Sequence, residues 1–352
     1  MPQKPVHYLI VFVSVFTLLI GGCGKPSAAD PDSLATARVV SITVPGTPWY
    51  EEWVHLKREL EKSPKNRLDV RLYITGQLGS EESALSQLRR GRVQLGGFSL
   101  QGATSVIPEL EILLAPYLFN SLAEVDFIID QYLTTKFKQL FAEHGLVLLN
   151  WAEVGWTNLY GRAPILTPEQ AAHLKLRSSN ALSSQLFIQA IGADMVPMPF
   201  PDIIPSLQTG LIKGGAAGIV FYAISGIPKE APHLTLTRHA FDTGVVLANK
   251  AWFDQLPTEQ RDLLVNSLHT QQEQRQAVRD TTERILAAPE KYGIKLHGLD
   301  AAQQNAWEKI TRRDRQAIID RIGGEGQAIN RLIEKGKREF AARGKEESTK
   351  TL

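Results

Sequence analysis

From residue 38 the chain alternates between two hydrophobic periods, and this alternation constrains the fold more than any other feature. The segments 38–44 (RVVSITV) and 68–74 (LDVRLYI) read as strands. Between them, 47–62 (TPWYEEWVHLKRELEK) reads as a helix with Pro48 at its start. The pattern repeats: a turn and helix over 76–91, acidic in its first turn and stopped by Gly91, then a strand over 92–100. One or two helices are expected over 121–145 and a strand over 146–153. Strands that alternate with helices favour a mostly parallel sheet covered on both faces.

A second unit opens near residue 154. Thr167, Pro168 and Gln170 have the spacing of a helix cap with a capping box. A strand over 173–177 follows, then a helix over 180–191. That helix puts Leu182, Leu186, Phe187 and Ala190 on one face and ends at Gly192. A strand over 193–200, a short helix over 202–209 and a glycine-rich strand or loop over 211–218 complete another β-α-β-α-β run. The stretch 257–289 reads as one long helix with a broken apolar stripe of Leu264, Leu268, Val278, Ile285 and Leu286. A helix of that length exceeds the depth of either unit and is expected to run across both. Helical segments over 300–320 and 326–343 finish the fold, and the charged end 344–352 is expected to be disordered. A length of 352 residues suits two domains.

Arg177 stands at the junction of the 173–177 strand and the next helix, which is where open α/β sheets hold ligands. A guanidinium there offers two parallel donors to a carboxylate. The alternative is a surface residue bridging to an acidic neighbour such as Asp202.

The formal charge of +2 implies no nucleic-acid partner. Eight histidines show neither H-x-H nor H-E-x-x-H spacing, and the single cysteine excludes a disulfide within the chain. No metal or cofactor is expected. Neither G-x-S-x-G nor G-x-G-x-x-G occurs, so an envelope enzyme would need an unrecognised catalytic site.

The first 22 residues read as a signal peptide. Lys4 and His7 precede an apolar run from Tyr8 to Ile20, which is short for a membrane span. The segment LLIGGC (18–23) resembles a bacterial lipobox, which implies cleavage after Gly22 and lipidation of Cys23. The expected location is the periplasmic face of the inner or outer membrane. Residues 23–37 read as a lipidated tether.

Three stretches carry a wider resemblance: GQLGSEESALSQLRRGRVQLG, VIPELEILLAPYLF, and LTPEQAAHLKLRSSNALSSQLFIQAIGADMVPMPFPDIIPSLQTGLIKG. Together they resemble the DctP family, the extracytoplasmic solute-binding proteins of TRAP transporters, from about residue 38 to about 335. The resemblance implies an α/β fold of the type II-like periplasmic binding protein kind, two lobes closing on a ligand, with a long helix spanning both. It divides the chain into 38–153 with 243–282 as lobe I and 154–242 with 283–343 as lobe II. It also implies a small and a large TRAP membrane subunit as partners.

The resemblance puts Arg177 where the family places the arginine that pairs with a ligand carboxylate. Trp156 occupies the place of a second family arginine, and Ala217 that of a ligand-touching asparagine. Phe200 falls where an aromatic ring stacks on the ligand. Glu81, Phe98, Ser99 and Trp49 are further candidates for the cleft wall, each equally able to serve packing or capping. The replacements at positions 156 and 217 point to an organic acid with a sizeable apolar part. A small acid, a lipid-like amphiphile, and a binding module that feeds an envelope sensor instead of a transporter remain open alternatives.

Overall fold

The computed structural model describes residues 35–350, with side chains through residue 344. The signal peptide, Cys23 and the tether through residue 34 lie outside the described residues. Nine strands form one sheet. They are β1 (Ala35–Ser41), β2 (Leu68–Tyr73), β3 (Leu95–Ser99), β4 (Leu146–Gly161), β5 (Lys175–Ser178), β6 (Asp194–Pro197), β7 (Gly214–Gly218), β8 (His233–Asn249) and β9 (Lys295–His297). Their order is β2-β1-β3-β8-β4-β7-β5-β6, with β9 beside β8.

The outer pairs β1–β2, β1–β3, β5–β6 and β5–β7 are parallel, as the strand–helix alternation predicts. The three central pairs, β3–β8, β8–β4 and β4–β7, are antiparallel. The reason lies in β4 and β8, of 16 and 17 residues. Each is long enough to leave one half of the molecule and enter the other, so its direction is set by that crossing. The expected break near residue 154 is therefore a continuous strand. Its register against β8 shifts between Leu148 and Asn150, Glu153 and Gly155, and Thr157 and Leu159.

Capping places the helices that matter for the site. The Thr47 side chain accepts from Tyr50 N and starts the helix Pro48–Lys62, whose apolar face buries Trp53, Leu56 and Leu60. Ser80 does the same for the helix Glu81–Arg89. The stretch 257–289 is not one helix. It divides into Thr258–Asn266 and Gln271–Ala287 because Thr270 and Glu273 form a reciprocal capping box. The second piece is the spanning helix. It packs on β4 and on Pro48–Lys62 from one half, and on the helix Ile219–Ile224 from the other.

The spanning helix is pinned by charge. Arg279 bonds both Asp126 oxygens, at 2.9 and 2.7 Å, and its Nη2 reaches Glu153 Oε2 at 2.6 Å. Arg275 pairs with Asp130 at 2.8 Å. Glu153 is only 4% exposed, and burial raises its pKa against the pull of Arg279.

The C-terminal segment departs from expectation twice. The final helix runs Gly324–Lys350, through the residues expected to be disordered. It also packs on the first half: Ile329 and Ile333 join the buried cluster of Ile112, Ile128 and Leu133. Helical periodicity shows that a face is apolar but not which neighbour covers it.

Candidate functional site

Arg177 lies near the end of β5, opposite Val196 in the parallel strand β6. A four-residue strand brings it to the carboxyl ends of the parallel strands. Gly215 of β7 makes room for it. A Cβ there would meet the Tyr160 hydroxyl at 2.6 Å and Arg177 Cβ at 3.1 Å. Arg177 is 9% exposed, and its Nε donates to the Met198 carbonyl at 3.1 Å. The other guanidinium nitrogens have no protein partner among the described residues, and no ion pair to Asp202 forms. Burial lowers the pKa of Arg177, while Tyr160, Glu81, Glu82 and Asp242 help to hold its charge.

Arg177 faces a small cavity of about 80 Å³, walled also by Ser99, Gln101, Met198, Phe200, Ala217 and Asp242. A much larger cavity of about 600 Å³ lies beside it. Ile42, Glu81, Ser99, Val154 and Phe221 line both, so the two are neighbours across a shared wall. Trp49, Trp53, Phe98, Val246 and Val278 make the body of the larger cavity apolar. Glu52 and His269, with Glu273, Asp280 and Arg284 of the spanning helix, give it a polar border.

The shared wall is aromatic. Trp49 stacks on Phe221 with centroids 5.1 Å apart, and Phe200 meets the other side of Phe221 edge-on at 4.7 Å. Trp49 Nε1 donates to the Glu153 carbonyl at 2.8 Å, which fixes the indole. Phe221 comes from the second half and Trp49 from the first, so the stack joins the halves across the cavities.

Glu81 lines both cavities. Its oxygens accept from Ser99 N and Ser99 Oγ, each at 2.7 Å. Burial pushes its pKa up, and the Ser99 donors oppose that shift. Ser99 also caps the short helix Leu100–Ala103.

Of the residues singled out in the sequence, Arg177, Phe200, Ala217, Glu81, Ser99, Phe98 and Trp49 line one or both cavities. Trp156 does not. Its ring packs edge-on against Phe241 at 5.2 Å, in the buried cluster with Phe119 and Val125. Trp156, expected as an apolar cleft wall, stands outside the lining of both cavities. The apolar space lies instead beyond Val154 and Phe221. The sequence reading missed Asp242, Gln101 and Phe221. A lone acid in the apolar strand HAFDTGVV was the available signal for Asp242.

Asp242 is 3% exposed, and its Oδ2 accepts from Gln101 Nε2 at 3.0 Å. Burial pushes its pKa up to about 7, with Gln101 and the amides of Leu100 and Thr243 offsetting part of the shift. Together the cavities offer a fixed cationic donor at one end and a long apolar space at the other. Among the described residues no helix is long and apolar enough to cross a membrane.

Residues 39–322 match the family model of bacterial extracellular solute-binding proteins, family 7 (DctP). The chain is similar to the ectoine-binding periplasmic protein TeaA of Halomonas elongata, at 27% identity over 74% of this chain and 78% of that protein. It is also similar to the 2,3-diketo-L-gulonate-binding periplasmic protein YiaO of Escherichia coli, at 26% identity over 76% and 78%. In structure it resembles the sugar acid binding protein of Advenella mimigardefordensis solved with galactonate. The TM-score is 0.80 at 23% identity, over 87% of this chain and 99% of that one. The two-lobed fold, the spanning helix and the matched span lead to one conclusion: the chain belongs to the DctP family of bacterial extracellular solute-binding proteins, the solute receptors of TRAP transporters.

Proposed function

We propose that this receptor captures an organic acid with a sizeable apolar part, its carboxylate on Arg177 and its carbon chain in the 600 Å³ cavity. The observation that carries the reading is the adjacency of two unlike spaces. A buried arginine with spare donors faces the small cavity, and an apolar chamber shares its wall. A planar guanidinium pairs with a carboxylate through two hydrogen bonds, and a dry cleft strengthens them. A volume near 600 Å³ falls in the ordinary range for small-molecule sites. Ala217 adds no polar group to the small cavity and leaves room beside Arg177.

The relatives named for ectoine and for 2,3-diketo-L-gulonate support a small organic ligand class without fixing its member. The reading extends to delivery: a lipid anchor at Cys23 would hold the receptor at the periplasmic face of the envelope, within reach of the small and large TRAP membrane subunits. Native mass spectrometry of protein purified without refolding tests the ligand class. A retained mass that fragments to a carboxylic acid bearing a carbon chain supports it. Retention of only short, highly hydroxylated acids sinks the apolar part and leaves the Arg177 anchor. Intact-mass analysis of the membrane fraction, compared with Cys23→Ser, tests the anchor separately.

A further inference from the structure

The small cavity is unbalanced in charge. Arg177 is its one cation among the described residues, and Glu81, Glu82 and Asp242 line it with carboxylates. Two of these acids are already occupied. Glu81 is held by both donors of Ser99, and Glu82 Oε1 accepts from Asn180 Nδ2 at 3.1 Å. Asp242 is different. Gln101 takes its Oδ2, but its Oδ1 is buried with no hydrogen-bond partner of good geometry among the described residues. Asp242 sits in β8 opposite Gly155 of β4, beside which a Cβ would meet nothing within 4 Å.

A plain carboxylate entering this space adds a fourth negative charge and leaves Oδ1 unpaired. Buried acceptors in folded proteins are almost always satisfied, and an unmet one is costly. We propose that the acid bound at Arg177 carries a hydrogen-bond donor close to its carboxylate, a hydroxyl or a protonated nitrogen, and that Asp242 Oδ1 receives it. This rests on the carboxylate reading of the same site. Asp242 thereby selects substituted acids over plain ones, while Arg177 anchors both.

The groups that face Asp242 define its state. They are Gln101 and the Leu100 amide from the short helix, the Thr243 amide of β8, Glu81 and Glu82 from the helix Glu81–Arg89, and Arg177 from β5. His239, on β8 itself, is buried and neutral, its pKa lowered to about 3 by burial. Alkaline pH favours the ionised form of Asp242, in which Oδ1 is a pure acceptor.

Calorimetry with the purified mature protein at pH 8 provides the test. The probes are octanoate and both enantiomers of 2-hydroxyoctanoate and of 2-aminooctanoate. At least one substituted acid is expected to bind about tenfold or more tighter than octanoate, the scale of one good hydrogen bond to a charged group. Asp242→Leu is expected to collapse that ratio to near one. Asp242→Asn, which keeps the side-chain shape and a carbonyl acceptor, separates the two donors. It retains a preference for the hydroxy acid and loses one for the amino acid, and it serves if the leucine variant fails to fold. Equal affinity for all three acids in the native protein, or a preference that survives in both variants, overturns the proposal and leaves the Arg177 anchor standing. Octanoate binding with uptake of one proton and no gain from substitution also overturns it, because Asp242 would then be the donor. No binding by any of the acids overturns the carboxylate reading itself.

Discussion

Arg177 Nε donates to the Met198 carbonyl at 3.1 Å, and this bond aims the rest of the guanidinium into the small cavity. A buried arginine with no carboxylate partner is poor design for stability and good design for a ligand. Arg177→Ala is therefore expected to weaken carboxylate binding by about 2–5 kcal/mol. The melting temperature should change little, since within the protein Arg177 makes one hydrogen bond and no ion pair among the described residues. Arg177→Lys should bind almost as poorly, because an ammonium lacks the two-pronged geometry. Calorimetry and thermal melts of the three proteins check this. Normal binding together with early melting would make Arg177 a structural residue.

The larger cavity predicts a chain-length series. Each methylene buried there adds about 0.8 kcal/mol, roughly fourfold in affinity, until the chamber is filled. The heat-capacity change of binding should grow more negative with each carbon. Val246 is 3% exposed and lines the chamber. Val246→Phe should flatten the series while leaving short acids within about threefold of the native protein. A series that is flat before the substitution would exclude the chamber as the tail site.

Asp242 predicts a pH dependence of stability. Its folded pKa of about 7 stands above its ordinary 3.8. The contribution is therefore full below about pH 4 and is lost as pH rises through 7, with a limiting slope of about 1.4 kcal/mol per pH unit. Asp314, raised to about 6, acts in the same direction. His239 acts in the opposite one. Its folded pKa of about 3 lies below 6.5, so its contribution is lost as pH falls below 6.5. Melting curves between pH 4 and 9 should show Asp242→Asn losing less stability than the native protein as pH rises from 4 to 7, with the two profiles running parallel above about pH 8. Superimposable profiles would contradict the burial argument.

Arg279 joins the spanning helix to Asp126 and Glu153. Arg279→Met leaves Glu153 buried and unpaired, and should cost about 3 kcal/mol in denaturant unfolding. Adding Glu153→Gln should recover part of that loss. Simple additivity of the two substitutions would show that the pair is not coupled.

Trp156 provides the contrasting case. With its ring packed on Phe241, Trp156→Ala should cost about 2–3 kcal/mol of stability. Ligand affinity, measured well below the melting temperature, should change less than threefold by the same packing argument. A large loss of affinity with stability intact would return Trp156 to the site.

Much of this was legible in the sequence. Period-two and helical runs, Pro48 at a helix start, the acidic first turn at Glu81 and Glu82, and the stops Gly91 and Gly192 are local signals, decided by a few adjacent residues. They located most strands and helices and put Arg177 at a strand end beside the cleft. The break at Thr270 was also local, a capping box inside a polar stretch, but the longer apolar stripe concealed it.

The sequence by itself determined the elements, the two-part repeat and the arginine at a strand end, because each depends on spacing along the chain. The tertiary structure alone decided the direction of the central strands, the packing of the final helix on the first half, and the chamber between Trp49, Phe98 and the spanning helix. Those depend on which distant surfaces meet. Trp156 shows the physical reason most directly. The register against β8 shifts between Glu153 and Gly155, one residue before it. Side chains alternate faces along a strand, so such a shift breaks the simple alternation that a sequence displays. Trp156 thus packs on Phe241, while Val154, two residues earlier, lines the cavities. Asp242, a lone charge in an apolar strand, lines the same small cavity as Arg177, 65 residues away in sequence, although β4 and β7 lie between their strands in the sheet.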